Sequence, residues 1–322
     1  MPRTLPVTLP LLPEWADHAI QGRAMVPAAW LLDLLIRTIC EENTDTAATQ
    51  AMFPLIVREA MFPRFLPADE VEQCTFDVAF DDRVGDGAQA SRRATLTSRI
   101  ALAGGICRTR THATVTLGGP NTLLPLPPAM MESDLELLAE QAYAELIPFG
   151  PRYRNLRDNI RLGRDGAAGW VSSPEPAGPE PSRAGCPYLF DSAMHLACLW
   201  GQRYVGTVAY PTGFSTRAIA APLAHGRRRC TVVPKSVGKT STWKPWEGFQ
   251  TFPRSGSAGQ SPATPTRHES SVESRGLTFD LWLTDENHRV CDTIVGLAMA
   301  PLVQGAQPPA WIVHPQVSQR TP

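Results

Sequence analysis

Three local patterns in this chain place acid–base side chains at spacings that chemistry can use. The first is H-x-x-x-G-x-x-x-x-P, spelled by His18, Gly22 and Pro27. It sets an imidazole in a turn just ahead of a helix whose first turn holds Pro27, where the missing proline N–H is harmless. A neutral histidine can take a proton from carbon. Glycine, lacking a Cβ, lets the backbone approach a ligand, and the free N–H groups of a helix start can polarise a carbonyl. The same letters also describe an ordinary histidine in a turn.

The second pattern is D-x-x-x-H, Asp191 and His195 within FDSAMHLACLW. A spacing of i, i+4 puts both side chains on one helical face, so His195 can orient the Asp191 carboxyl. A general acid needs a raised pKa, whereas a carboxylate near a helix N-terminus tends to a lowered one. The expectation is that burial beside Phe190, Met194 and Leu199 prevails and raises it. The third pattern, PFGPRYRNL over residues 148–156, carries Phe149, Gly150, Pro151 and Tyr153. By itself it says only that a tight turn follows a helix.

The elements around these patterns fall into two halves with one grammar. In the first half an extended stretch leads into the helix PAAWLLDLLIRTICEE, apolar at Trp30, Leu31, Leu34 and Leu35. Strand-like CTFDVAF, TLTSRIALA and ICRTRTHATVTL follow. The second half opens with a predicted helix, SDLELLAEQAYAEL, then strand-like NIRLGR and AAGWVSS. A long central helix, FDSAMHLACLWGQRYV, and strands at RRCTVVPKSV, LTFDLWLTD and RVCDTIVGLAMAPLV complete it. Antiparallel sheet wrapping a buried helix, twice over, is the economical arrangement, an α+β fold. The predicted limits are 1–120 for the first half, 121–132 for a Pro-rich linker, 133–304 for the second half and 305–322 for a tail. Residues 238–276 read as an irregular Ser-, Thr-, Pro- and Gly-rich insertion between two strands, and its Trp243 and Trp246 as solvent-exposed.

Jointly, and in this order, the three patterns resemble the dehydratase domains of modular polyketide synthases. Such domains carry HxxxGxxxxP, then a YGPxF-like turn, then Dxxx(Q/H) on a second central helix. His18, Gly22 and Pro27 match the first motif, and Asp191 and His195 the third. In the second, Gly150 and Pro151 match, with Phe149 in the place of Tyr and Tyr153 in the place of Phe. The resemblance covers roughly residues 5–305 apart from the insertion. It implies a double hotdog fold, two antiparallel sheets each wrapped round a long helix and fused side by side. It also implies a 3-hydroxyacyl thioester substrate on the phosphopantetheine arm of an acyl carrier protein. His18 would remove the C2 proton, Asp191 would protonate the departing C3 hydroxyl, and His195 would hold Asp191. A backbone N–H near Gly22 or the Pro27 helix would bind the thioester oxygen. The missing Phe149 hydroxyl implies altered substrate positioning. The nearest alternatives are an isomerase or cyclase of the same fold, a hotdog thioesterase, and an inactive scaffold.

Composition narrows the remaining classes. A formal net charge of −1 over 322 residues supplies no field that would draw nucleic acid or an anionic membrane. The proline-studded N-terminus is unlike a signal peptide, and no apolar run approaches the ~20 residues that span a bilayer. Seven scattered cysteines without CxxC suit a reducing cytosol, so a cytoplasmic location is expected. Phosphate-binding glycine loops, metal-ligand spacings and a G-x-S-x-G elbow are absent from the sequence, so no cofactor and no metal is expected. The chain reads as one stand-alone unit, so its carrier protein is expected in trans, with other synthase subunits or a homodimer as further partners. Arg152, Arg154, Arg157 and Arg161, or Arg227–Arg229, are the candidate basic rim for an acidic carrier, with a plain solvated surface the favoured reading.

Overall fold

The computed structural model describes residues 3–42, 53–81, 91–101, 107–119, 126–129, 132–174, 184–220, 226–239, 275–302 and 307–314. The insertion's residues 240–274, with Trp243 and Trp246, lie outside that set, as do most of the linker and residues 315–322 of the tail.

The first half contributes β1 (Arg3–Val7), the short β2 (Ala19–Ile20) and β3 (Arg23–Val26), and helix α1 (Ala28–Glu42). It continues with β4 (Leu55–Met61), β5 (Leu66–Pro67), β6 (Thr75–Phe80), β7 (Ser91–Ala101) and β8 (Cys107–Gly118). The second half contributes β9 (Leu135–Leu138), α2 (Ala139–Glu145), β10 (Leu156–Gly163), β11 (Gly166–Ser172) and α3 (Pro187–Val205). Four long strands end it: β12 (Ala209–Ile219), β13 (Arg227–Lys239), β14 (Arg275–Thr284) and β15 (Val290–Pro301). All pairings in the main sheet are antiparallel, in the order β1-β6-β7-β8-β4 for the first half and β12-β15-β14-β13-β11-β10-β9 for the second.

The two half-sheets run together through β4 and β12, which pair from Leu55↔Ile219 to Met61↔Gly213. This is the double hotdog arrangement, its sheets joined edge to edge into twelve continuous strands. Each half-sheet wraps its own helix. On α1, Leu32, Leu35, Ile36 and Ile39 are completely buried, and on α3 so are Leu189, Leu196 and Leu199. Each such side chain contributes roughly 1.5–3 kcal/mol of burial. The two helices also touch one another, with Trp30 near the start of α1 edge-on to Tyr188 near the start of α3. No helix among the described residues is long and apolar enough to cross a membrane.

Two predicted elements need correction. The expected helix over 133–146 begins as strand β9, paired to β10, and turns helical only at Ala139. Its Leu-Glu-Leu-Leu run buries Leu137 while exposing Leu138, the two-residue alternation of a half-buried strand, so sheet pairing overrides helix propensity. Part of the expected tail also packs on the body. Residues 307–314 dock there, with Ile312 fully buried.

Candidate active site

His18 sits at the C-terminal end of a 3-10 turn, Pro13–Asp17, and immediately before β2. Its backbone is held on both sides, its N–H donating to Trp15 O (3.0 Å) and its C=O accepting from Met25 N–H (2.9 Å). The ring's Nδ1 lies 3.1 Å from Met25 O. A carbonyl can only accept, so Nδ1 carries the proton and Nε2 keeps its lone pair. Burial is the chief influence on this imidazole and holds its pKa below the usual histidine value, although the Asp191 charge works the other way. The result is a neutral base with a fixed tautomer.

Gly22 takes a different part from the one expected. Gln21 and Gly22 both have positive φ, 53° and 79°, and form the tight turn between β2 and β3. Space is open around Gly22, and it does not line the cavity described below; Gln21 does. Pro27 stands just ahead of α1 rather than in its first turn, its C=O accepting from Trp30 N–H at 3.0 Å and Leu31 N–H at 3.3 Å.

Asp191 and His195 come from the second turn of α3 onward, facing His18 across the junction. Asp191 Oδ1 is 3.8 Å from His18 Nε2, and Asp191 Oδ2 is 2.9 Å from His195 Nε2. The second contact is close but lies off the ring N–H direction, so its strength is mainly electrostatic. All three side chains are buried. The expected upward shift of Asp191 is not what results. Burial is the largest influence and pushes the carboxyl up, but the close imidazoles, His195 first and then His18, outweigh it, and the pKa is lowered. At rest Asp191 is a carboxylate.

A residue that the motifs do not reveal completes the network. Tyr143, on α2, accepts N–H hydrogen bonds from both Asn155 and Leu156 at 2.9 Å. With its lone pairs engaged, its own proton is left for His195 Nδ1, 3.2 Å away. That fixes the remaining imidazole proton on Nε2, facing Asp191. Burial above all pushes the Tyr143 hydroxyl well above the usual phenol range, so it remains a donor. The second such residue is Asp17. Its C=O accepts from Gly150 N–H (2.7 Å) and its carboxylate from Arg152 N–H (2.9 Å), which ties the 150–153 turn to the histidine loop. A Cβ on Gly150 would come within 2.2 Å of Asp17 Oδ1, so only glycine fits. Asp17 adjoins His18 in the chain, and that adjacency was the available signal.

The turn does place its aromatic residues on the site. Phe149 stacks on the His18 ring at 4.5 Å and lies 5.0 Å from the His195 ring. Pro151 opens the short 3-10 turn that ends at Tyr153. Tyr153 is fully buried behind His18, its hydroxyl accepting from Trp30 Nε1–H at 3.1 Å. The hydroxyl absent at position 149 is therefore not restored at 153, since Tyr153 faces α1.

His18, Phe149, Asp191 and His195 share one cavity of about 380 Å³ with mainly apolar walls. Among the described residues, no group of three or more His, Cys, Asp or Glu is placed to hold a metal ion. Four of the seven arginines of the candidate basic rim have partners of their own. Arg154 donates to Phe149 O, Arg157 to Arg154 O, and Arg161 pairs with Glu136, while Arg227 pairs with Asp158. None of these arginines lines the cavity; Arg64 does.

Neither a family model nor a curated protein matches the chain. Solved structures do. The fold is that of polyketide synthase dehydratase domains. The dehydratase domain of PpsC from Mycobacterium tuberculosis superposes with a TM-score of 0.64 at 16% identity, covering 94% of this chain and 93% of that one. The dehydratase domain from the CurJ module of the curacin polyketide synthase gives 0.61 at 17%, covering 90% and 87%. That of RzxB from Pseudomonas fluorescens gives 0.55 at 13%, covering 87% of each.

Proposed function

We propose that this chain removes water from a 3-hydroxyacyl thioester presented by an acyl carrier protein. The observation that carries the reading is the His18–Asp191 pair. It has one member from each half of the fold, 3.8 Å apart, and both open on a single apolar cavity. His18 Nε2, neutral and aimed, takes the C2 proton. The C3 hydroxyl leaves with a proton from the Asp191 carboxyl, and the product is a 2-enoyl thioester and water. Asp191 rests ionised, so it must take that proton up from solvent as the substrate binds, and the C2 proton left on His18 is released after the product leaves. An acyl chain filling the cavity deepens the burial that already pushes this carboxyl up. Ala28, first residue of α1, lines the cavity, so the free N–H groups of that helix start are the donors for the thioester oxygen. Gly22, outside the lining, is not.

The carrier's phosphopantetheine is part of the substrate, and no resident cofactor enters these steps. Carrier in trans, other synthase subunits, homodimer and cytoplasmic location belong to the same proposal. A second reading, double-bond isomerisation, draws on the ionised resting state of Asp191, because moving a proton between two carbons needs no acid for a leaving hydroxyl. Mass spectrometry of a carrier-bound 3-hydroxyacyl thioester separates the two. Loss of one water, abolished in His18→Ala, supports dehydration. Unchanged mass there, with a carrier-bound 2-enoyl thioester converted to its 3-enoyl isomer as followed by ultraviolet absorbance, supports isomerisation, and no reaction of either substrate across chain lengths and both hydroxyl configurations overturns both.

A further inference from the structure

We propose that the C-terminal segment Gln307–His314 is the end stop of the acyl channel and sets the longest chain the site accepts. The inference rests on the acyl thioester reading above and adds the substrate class, an extended apolar acyl chain. The cavity lining runs down one face of α3 through Asp191, Met194, His195, Cys198 and Gln202. From residue 191 to residue 202 the helix rises about 16 Å at 1.5 Å per residue. The walls along this path, Leu146, Val208 and Met299 among them, are apolar. Leu302, Pro308 and Pro309 line the same cavity.

What holds the segment there is the far end of the catalytic helix itself. Arg203, next to Gln202, donates from Nη1 to Ile312 O (2.9 Å), and its own C=O accepts from His314 N–H (2.7 Å). Arg203 Nη2 also reaches Asp134 Oδ1 (3.3 Å), the same oxygen that Tyr204 Oη contacts at 2.6 Å. His314 Nε2 lies 3.4 Å from Asp134 Oδ2. Ile312 is fully buried, and two consecutive prolines with fixed φ make the part that meets the channel stiff. One rigid helix therefore carries Asp191 near its start and grips the stop near its end. That fixes the distance between the reacting carbons and the channel floor.

The test measures binding apart from turnover. Full-length protein is titrated calorimetrically with S-alkyl pantetheine thioethers of graded length, from butyl to hexadecyl, which have no hydroxyl to lose. Affinity should rise by up to about fourfold per added methylene, as burial of each CH₂ predicts, and then fall sharply at one length. Ile312→Ala, which loosens the segment, should move that fall to longer chains, and Pro309→Gly should do the same if Ile312→Ala does not fold. Cys198→Trp, which fills the channel short of the stop, should move it to shorter chains. A fall that stays put in these variants overturns the proposal. So does uniform weakening at every length in the loosened variant, which would place the segment at the entry. A wild-type ladder with a clear fall but no water loss from any hydroxyacyl thioester would sink the dehydratase reading and leave the end stop standing.

Discussion

His18 and His112 share a chemical setting and differ in what lies beyond the ring. Both imidazoles are buried, and for both burial is the chief cause of a pKa below the usual histidine value, His112 being lowered to about 4. Each has one ring nitrogen engaged by a neighbour. His18 meets a carbonyl through Nδ1, whereas His112 Nε2 lies 2.7 Å from Ser98 Oγ. On paper Ser98–His112 is the more suggestive pair, a hydroxyl beside a base as in nucleophilic catalysis. But Ser98 is completely buried on β7, and neither residue lines the cavity, so no substrate reaches it. His18 has its free nitrogen turned toward Asp191 and open space. Access, not basicity, separates the histidine proposed as the base from the structural one.

The comparison can be broken by substitution. His18→Ala should lower turnover by roughly 10²–10⁴-fold, the usual worth of one acid–base group, with melting temperature little changed. Asp191→Asn should fall in the same range. The double variant should lose far less than the product of the two, because both groups act on one event; multiplicative losses in steady-state assays would separate them. His112→Ala should do the reverse. It should cost about 2–4 kcal/mol in urea unfolding, from the cavity and the orphaned Ser98 hydroxyl, while turnover per folded molecule stays near wild type.

Acid sharpens the contrast. A histidine whose folded pKa is lowered binds its proton more readily unfolded, so stability is lost as pH falls from about 6.5 toward the folded value. With a folded value about 4, His112 alone should remove about 2 kcal/mol between pH 7 and pH 5. In His112→Leu the slope measured by denaturant titration should shrink to a shallower remnant of the same sign, left by His18. An unchanged slope would mean that His112 is not the titrating group. The smallest effect is expected at Tyr143→Phe. Without the hydroxyl, His195 loses what fixes its tautomer, and kcat should fall by about tenfold with KM nearly unchanged. If KM rises instead, Tyr143 shapes the cavity rather than the proton network.

How legible each part was follows from how far apart its residues lie in the chain. Asp191 and His195 are one helical turn apart, so spacing alone puts them on a common face, and the turn at 148–153 is equally local. Tyr143 meets His195 only because α2 and α3 are folded against each other, and no periodicity reports that. The burial of both long helices was readable from their apolar faces, and most strands from β-branched runs. The seam was not. Strand β12 contains Pro211 and Gly213, which read as punctuation, yet the chain passes them in a bulge opposite β15. A Cβ at Gly213 would come within 2.2 Å of Ala60 O on β4, so the glycine that hides the strand also permits its closest pairing. The direction of the Asp191 shift was misjudged for a related reason. Burial was legible in its apolar neighbours, but the balance against two imidazoles depends on distances that only the fold sets.

The β4–β12 seam makes the chemistry a gauge of assembly. Each half brings one partner of the His18–Asp191 pair, so by the proposed mechanism neither half by itself holds a working site, however well it folds. A slip of one residue along the seam would displace the halves by about 3.4 Å and invert which side chains face inward. That displacement is nearly as large as the separation of the pair itself. The register between the halves is therefore held to the tolerance of a proton transfer, as are the His18 loop and the 148–153 turn that meet across it.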